Sequence, residues 1–307
     1  MPHHPSPRRR LALAALASLA VPLLHACALT SPRRDDIVDA ASGRALTSAQ
    51  LLAQARAADW VLLGEQHDNL HHHAQRGAFI AALGPGTVVV TEHLQRGRRV
   101  EPGRELQSRL QAAGFDPRAW GWPLHRALYE AVLDAGLPVL GGNAPVALVR
   151  QVAREGLAAA PPELRALLDA APLSAAAQAS LDRALEEGHC GHLAAARLPA
   201  TRAAQRVRDA ALALALQAAG GRPGVLVAGN EHVRRDYGVP VLLRHLRPQA
   251  RLLVVAFGEP GWRADAGAHT HLWRTPGVAR VDPCAAFGGA PAGAEATARR
   301  ARPRNSA

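Results

Sequence analysis

Twice in this chain an apolar run stops at a glycine and a histidine follows three residues later. The first instance is Val61-Leu62-Leu63-Gly64-Glu65-Gln66-His67 and the second is Leu226-Val227-Ala228-Gly229-Asn230-Glu231-His232. Short apolar runs closed by glycine suit strands buried on both faces. In open α/β sheets, ligands bind beyond the carboxyl ends of such strands. Two such ends in neighbouring parallel strands would converge on one cleft, so the repeat constrains the fold and the site together. After the first instance, Asp68 or Asn69 can cap a helix whose first turns hold His71, His72, His73 and Gln75. In that helix His71 and Gln75 share a face.

Other segments complete the pattern. Thr87 to Thr91 is a β-branched run ending at Glu92 and His93, and Val139-Leu140 is a short strand closed by Gly141-Gly142-Asn143. Arg251 to Phe257 is a further strand, with helical stretches at Ser48 to Ala57, up to about Leu83, Glu101 to Ala113 and through Tyr129 to Ala135. Strands alternating with helices predict an α/β fold: a mostly parallel sheet flanked by helices. Glu65/His67, Glu92/His93, Asn143 and His232 should then line one sheet edge. Residues 146–219 are rich in alanine and leucine and read as an inserted helical subdomain, with ligand-type side chains clustered from Glu186 to His192.

The amino terminus has an export signal's layout over residues 1–26: Arg8 to Arg10, an apolar stretch from Leu11 to Leu24, then Ala26. That stretch is shorter than the roughly 20 residues a membrane span needs. Leu24-His25-Ala26-Cys27 has the form of a lipobox, making Cys27 the expected lipidation site, with a plain secreted protein as the alternative. General and twin-arginine export both stay open. Residues 27–58 form a linker with a short helix, 59–287 the main domain, and 288–307 an aperiodic Gly, Ala, Pro and Arg tail.

An exported chain meets an oxidising compartment, so Cys190 and Cys284 can form a disulfide or remain two buried thiols. All 36 basic residues are arginine, which removes the phosphate-binding Gly-Lys loop and Schiff-base lysine chemistry. Of the net charge of +11, residues 1–26 carry three arginines and no acid, and four arginines against Glu295 lie beyond Ala290. The charge left on the domain is unexceptional. No basic stripe interleaves with aromatics, and nucleic acid is not an expected partner.

Several stretches in this order resemble the ChaN family of iron-regulated, haem-binding lipoproteins: Leu-Gly-Glu-Gln-His-Asp-Asn from Leu63 with the following histidines and Gln75; Gly-Leu-Pro-Val-Leu-Gly-Gly-Asn at 136–143; Gly-His-Cys-Gly-His at 188–192 with Gln205 and Arg208-Asp209; and Ala-Gly-Asn-Glu-His-Val-Arg-Arg-Asp-Tyr-Gly-Val-Pro at 228–240. The likeness spans about Trp60 to Phe257. It implies an α/β fold with a helical subdomain, and a lipid-anchored protein at the outer membrane facing the periplasm. It also implies haem as cofactor or cargo for iron uptake, a haem-bridged homodimer, and an outer-membrane haem receptor as partner. His93 stands where the family pattern suggests methionine.

Haem iron takes imidazole, phenolate, thiolate or thioether ligands. The sole methionine is Met1, so thioether ligation is excluded, and Tyr129 and Tyr237 are the only phenols. Tyr237 beside Arg234 and Arg235 is the first candidate, the arginines being suited to propionates; His232, His67 and His189 follow.

The family also belongs to a wider group resembling erythromycin esterases and Tiki-type proteases. On that alternative, Glu65, His67, Glu92 and His232 would hold zinc or manganese for hydrolysis, or Glu65 and His67 would act as acid and base without metal. Neither a His-Glu-x-x-His helix nor a serine elbow supports the hydrolase, and a non-enzymatic binding protein is the expectation.

Overall fold

The structure, a computed structural model, describes residues 36–282, 284 and 285. The export signal, Cys27 and the tail at 288–307 lie outside the described residues.

The two Gly-x-x-His strands are neighbours. β1 (Asp36–Asp39) and β2 (Ala45–Leu46) precede α1 (Ser48–Ala57), β3 (Trp60–Leu63) and α2 (Leu70–Leu83). β4 (Val88–Gln95), α3 (Leu106–Ala112), α4 (Arg126–Asp134), β5 (Val139–Asn143), α5 (Val146–Glu155), α6 (Pro162–Ala170), α7 (Ala175–Gly188) and α8 (Leu198–Ala219) follow. β6 (Gly224–Val227), α9 (Val239–Leu246), β7 (Leu252–Gly258) and β8 (His271–Arg274) complete the order. The eight strands form one sheet in the order β2-β1-β8-β7-β3-β6-β4-β5. β3 pairs in parallel with both β6 and β7, aligning Leu63 with Val227 and with Val255, and only the β1 pairings are antiparallel.

Side chains alternate across the central strands as a pleated backbone requires. Val61, Leu63, Val225, Val227 and Val255 face a core closed by α1, α2 and α4, while Leu62, Val90, Leu226 and Val254 face one closed by α5, α6, α8 and α9. The segment from 146 to 219 therefore supplies the sheet's second cover. α8 carries much of it, burying Val207, Ala210, Ala211, Leu212, Ala213 and Leu216.

Three strands differ from the sequence expectation. β1 and β2 lie in what reads as linker, and β8 has no counterpart in the reading: they are short, sit to one side of the sheet and lack long apolar runs. β4 continues through Glu92 and His93 to Gln95, so those two side chains stand within the strand. Glycines let β5 follow this extension, since a Cβ at Gly141 would meet the Gln95 carbonyl oxygen at 2.0 Å.

Candidate functional site

Asn230 ties together the carboxyl ends of three strands. Its backbone N–H donates to the Glu65 carbonyl at 3.0 Å, its amide donates to the Phe257 carbonyl at 2.7 Å, and its Oδ1 accepts from the Phe257 N–H at 3.2 Å. Gly64 permits this closure, because a Cβ there would sit 2.1 Å from Asn230 Oδ1. Glu65 is thereby fixed immediately beyond β3 with its carboxylate turned inward and almost fully buried.

Four imidazoles and a guanidinium surround that carboxylate. His67 Nδ1 donates to Glu65 Oε1 at 2.5 Å and His93 Nε2 donates to the same oxygen at 2.8 Å. Arg76 is ion-paired with Oε2. His73 Nδ1 lies 3.5 Å from Oε2 and His125 Nε2 3.8 Å from Oε1. Helix packing brings the last group in: α2 approaches α4 so closely that a Cβ at Gly77 would lie 2.9 Å from the Ala127 carbonyl oxygen. The His73 and His125 rings meet 3.9 Å apart as a result.

The proton pattern around Glu65 is consistent throughout. The Tyr129 hydroxyl donates to His93 Nδ1 at 3.0 Å, which leaves the His93 Nε2 proton for Glu65. His73 donates from Nε2 to the His67 carbonyl at 2.9 Å, and its Nδ1 accepts from Arg76 at 2.7 Å. Burial holds these rings neutral, pushing His73 down to about 4 and His93 and His125 well below their usual range.

A second group lies beside the first. Glu92 Oε2 accepts from the Gly229 N–H at 2.8 Å and its Oε1 lies 3.3 Å from His232 Nε2. His232 Nδ1 donates to Asp209 Oδ1 at 2.6 Å. Burial alone would keep His232 neutral, but the carboxylates on either side prevail and raise it to about 10. Glu92, raised by burial, is carried well below the usual carboxylate range by the His232 charge and the Gly229 N–H.

Between the two groups His67 faces outward, with 46% of its side-chain surface exposed. Burial lowers its pKa, leaving a neutral ring. Its Nε2 makes no hydrogen bond among the described residues. Gly229 keeps that edge open, since a Cβ there would stand 2.9 Å from Nε2. The Trp120 ring meets His67 edge-on at 5.1 Å. A cleft of about 300 Å³ opens along Glu92, His93 and Trp120 and is lined also by Asn143, Val146 and Arg208; His67 is outside that lining and adjoins it through His93 and Trp120.

The structure brings Glu65, His67, Glu92, His93, Asn143 and His232 to one edge, as the strand pattern predicts, but it separates other candidates from it. Tyr237 is completely buried against Ala177 and Leu181, its hydroxyl donating to Glu231 and its ring covered by the Arg234 guanidinium at 4.6 Å. Burial and the Glu231 carboxylate push its phenol upward, away from a phenolate ligand. Arg234 is held by Asp236 at 2.9 Å and Asp265 at 2.8 Å, and Arg235 donates to the Gly267 carbonyl at 3.4 Å. Neither arginine lines the cleft. His189 lines a separate depression of about 540 Å³ with His192 and Arg197, where Cys190 is disulfide-bonded to Cys284.

The proposed metal quartet also divides. Glu65, His67 and His93 have ligand atoms within 4.8 Å of one another, as do Glu65, His73 and His125. Glu92 and His232 are instead paired with each other and with Asp209, apart from the Glu65 group. Glu65 is also ion-paired with Arg76, and neither ligand group contains Glu92 or His232, so the proposed quartet does not form one metal site.

Arg76, Trp120 and His125 complete the site without having been singled out from the sequence, and His73 and Arg208 join it from positions the sequence named only as part of a histidine run and a family motif. His73 had a signal in the run of three histidines that opens α2. Arg76, one turn further, looks like any surface arginine until α4 covers it.

Fold and site together define a class: an α/β protein whose central parallel strands end in a buried Glu/His/Arg network with one outward-facing imidazole. Residues 51–243 match the family described as haem-binding uptake, Tiki superfamily, ChaN, and the chain belongs to that family. Among solved structures the chain is similar to ChaN of Campylobacter jejuni, described for its cofacial haem binding, with a TM-score of 0.63 and 15% identity over 78% of this chain and 96% of that one. It is less similar to the type III effector HopBA1, with a TM-score of 0.41 and 14% identity over 75% and 93% of the two chains. No curated protein matches it.

Proposed function

We propose that this chain binds haem in the cleft beside His67, with His67 Nε2 as the axial ligand to the iron, and that it serves haem or iron acquisition. The carrying observation is the ring's arrangement: Nδ1–H spent on a buried carboxylate, Nε2 bare beside a glycine, and the cleft at its side. A carboxylate on the far nitrogen fixes the tautomer and orientation of a ligating imidazole. The lowered proton affinity of His67 keeps the lone pair free at neutral pH. Membership of a haem-binding family supports the choice of ligand.

In this reading the protein is a lipoprotein anchored through Cys27 at the outer membrane and facing the periplasm, and it works with an outer-membrane haem receptor. The cofacial haem described for ChaN of Campylobacter jejuni supports a haem-bridged homodimer. Radiolabelled palmitate incorporation lost in Cys27→Ala tests the anchor, and sedimentation with and without haemin tests the dimer.

Titration of the full chain with haemin, read in the visible spectrum, tests the ligand assignment. A saturable Soret shift that disappears in His67→Ala and survives in Tyr237→Phe is expected. A shift unchanged in His67→Ala would refute it.

A further inference from the structure

Arg208, from α8, lines the cleft with Glu92, Trp120 and Asn143, and its Nε is fully buried without a hydrogen-bond partner. Its guanidinium makes no hydrogen bond or ion pair with any described residue. Four other arginines of limited exposure are matched: Arg76 by Glu65, Arg202 by Asp182, Arg234 by Asp236 and Asp265, and Arg206 by two backbone carbonyls; Arg235 has an unpartnered Nε but bonds the Gly267 carbonyl and lies outside the cleft.

The carboxylates of the cleft lining, and that of the adjacent Asp209, are committed elsewhere. Glu92 accepts from Gly229 and pairs with His232, and Asp209 accepts from His232. Asp116, on the cleft's outer wall, is exposed and accepts from the backbone N–H groups of Arg118 and Ala119 at 2.9 and 3.1 Å. A partly desolvated cation without a counter-ion is costly, and an anion brought in by a ligand would offset that cost. The planar fork of a guanidinium matches a carboxylate best.

We infer that Arg208 is the anion-recognising residue of this cleft, receiving one propionate carboxylate of a haem whose iron is held by His67. The inference rests on the haem reading above and adds what selects the ligand's charged edge. It replaces Arg234 and Arg235 in that role, since both are spent away from the cleft.

The test compares haemin with haemin dimethyl ester, which keeps the iron and ring but lacks both carboxylates, on the full chain and on Arg208→Gln and Arg208→Lys. The wild type should bind haemin about ten-fold tighter than the ester, the scale of one charge-assisted pair. Arg208→Gln should lose that preference by weakening haemin alone, with an unchanged Soret position, and Arg208→Lys should recover part of it. Haemin affinity should fall with rising salt in the wild type and much less in Arg208→Gln. Equal weakening of both compounds by Arg208→Gln, or no weakening of either, overturns the assignment while leaving His67 ligation standing. Absence of a Soret shift with both compounds overturns the two readings together. Thermal melts establish that each variant is folded.

Discussion

His67 Nδ1 lies 2.5 Å from Glu65 Oε1, and this one hydrogen bond determines that Nε2 is the ring nitrogen turned away from the buried network. The same carboxylate neutralises Arg76 and accepts from His93, so orientation of the outward imidazole is coupled to the buried network. Glu65→Gln keeps the shape but removes the charge. It leaves the wholly buried Arg76 without its counter-ion, at a cost of about 3–5 kcal/mol. Urea unfolding should show that loss, and haemin affinity should fall by about 10–100-fold, as for other groups that orient a ligand. A variant as stable as wild type would show that Arg76 does not depend on Glu65.

Gly229→Ala tests the site's geometry with little change to the core. The new Cβ would stand 2.9 Å from His67 Nε2, closer than a real Cβ contact tolerates. The imidazole must turn away or lose access to the iron. Weakened haemin binding with a displaced Soret band is expected, with a melting temperature close to wild type.

Tyr237→Phe should have the opposite profile. Its hydroxyl donates to Glu231 and its ring packs against Leu181 in a buried cluster away from the cleft. The substitution should leave the haemin spectrum untouched and cost about 1–2 kcal/mol for the lost hydrogen bond to a charged partner. Loss of the Soret shift would restore phenolate ligation as the better account.

The contrast between His67 and Tyr237 also marks what the sequence could carry. Both histidines of the Gly-x-x-His repeat were legible because a parallel strand's end dictates where the next residues go. The burial of Tyr237 was not, because it is made by α7, which arrives from elsewhere in the chain. Arg76 and His125 were hidden for the same reason: their meeting depends on the approach of α2 to α4 at Gly77. Glu92 and His93 were placed at the right edge but outside the strand, since the extension of β4 relies on Gly141 in β5. β1, β2 and β8 escaped notice because they are short strands at one side of the sheet without apolar runs.

Stability should depend on pH in two separate windows. His72, His73 and His269 are buried and lowered by desolvation to about 4 from 6.5, so the unfolded chain binds protons that the folded chain refuses. Stability is then full above 6.5 and falls as pH drops toward 4, on the order of 3 kcal/mol per group across that interval. His232 has the reverse sign: raised to about 10 by Glu92 and Asp209, it contributes fully below 6.5 and loses that contribution as pH climbs through 10. Urea midpoints measured from pH 4 to 10.5 should therefore trace a plateau with a steep acid side and a separate alkaline decline. In His232→Gln the alkaline decline should shrink, while an acid side set by the other buried histidines should persist. An alkaline limb identical in wild type and His232→Gln would mean that the imidazolium between Glu92 and Asp209 does not stabilise the fold.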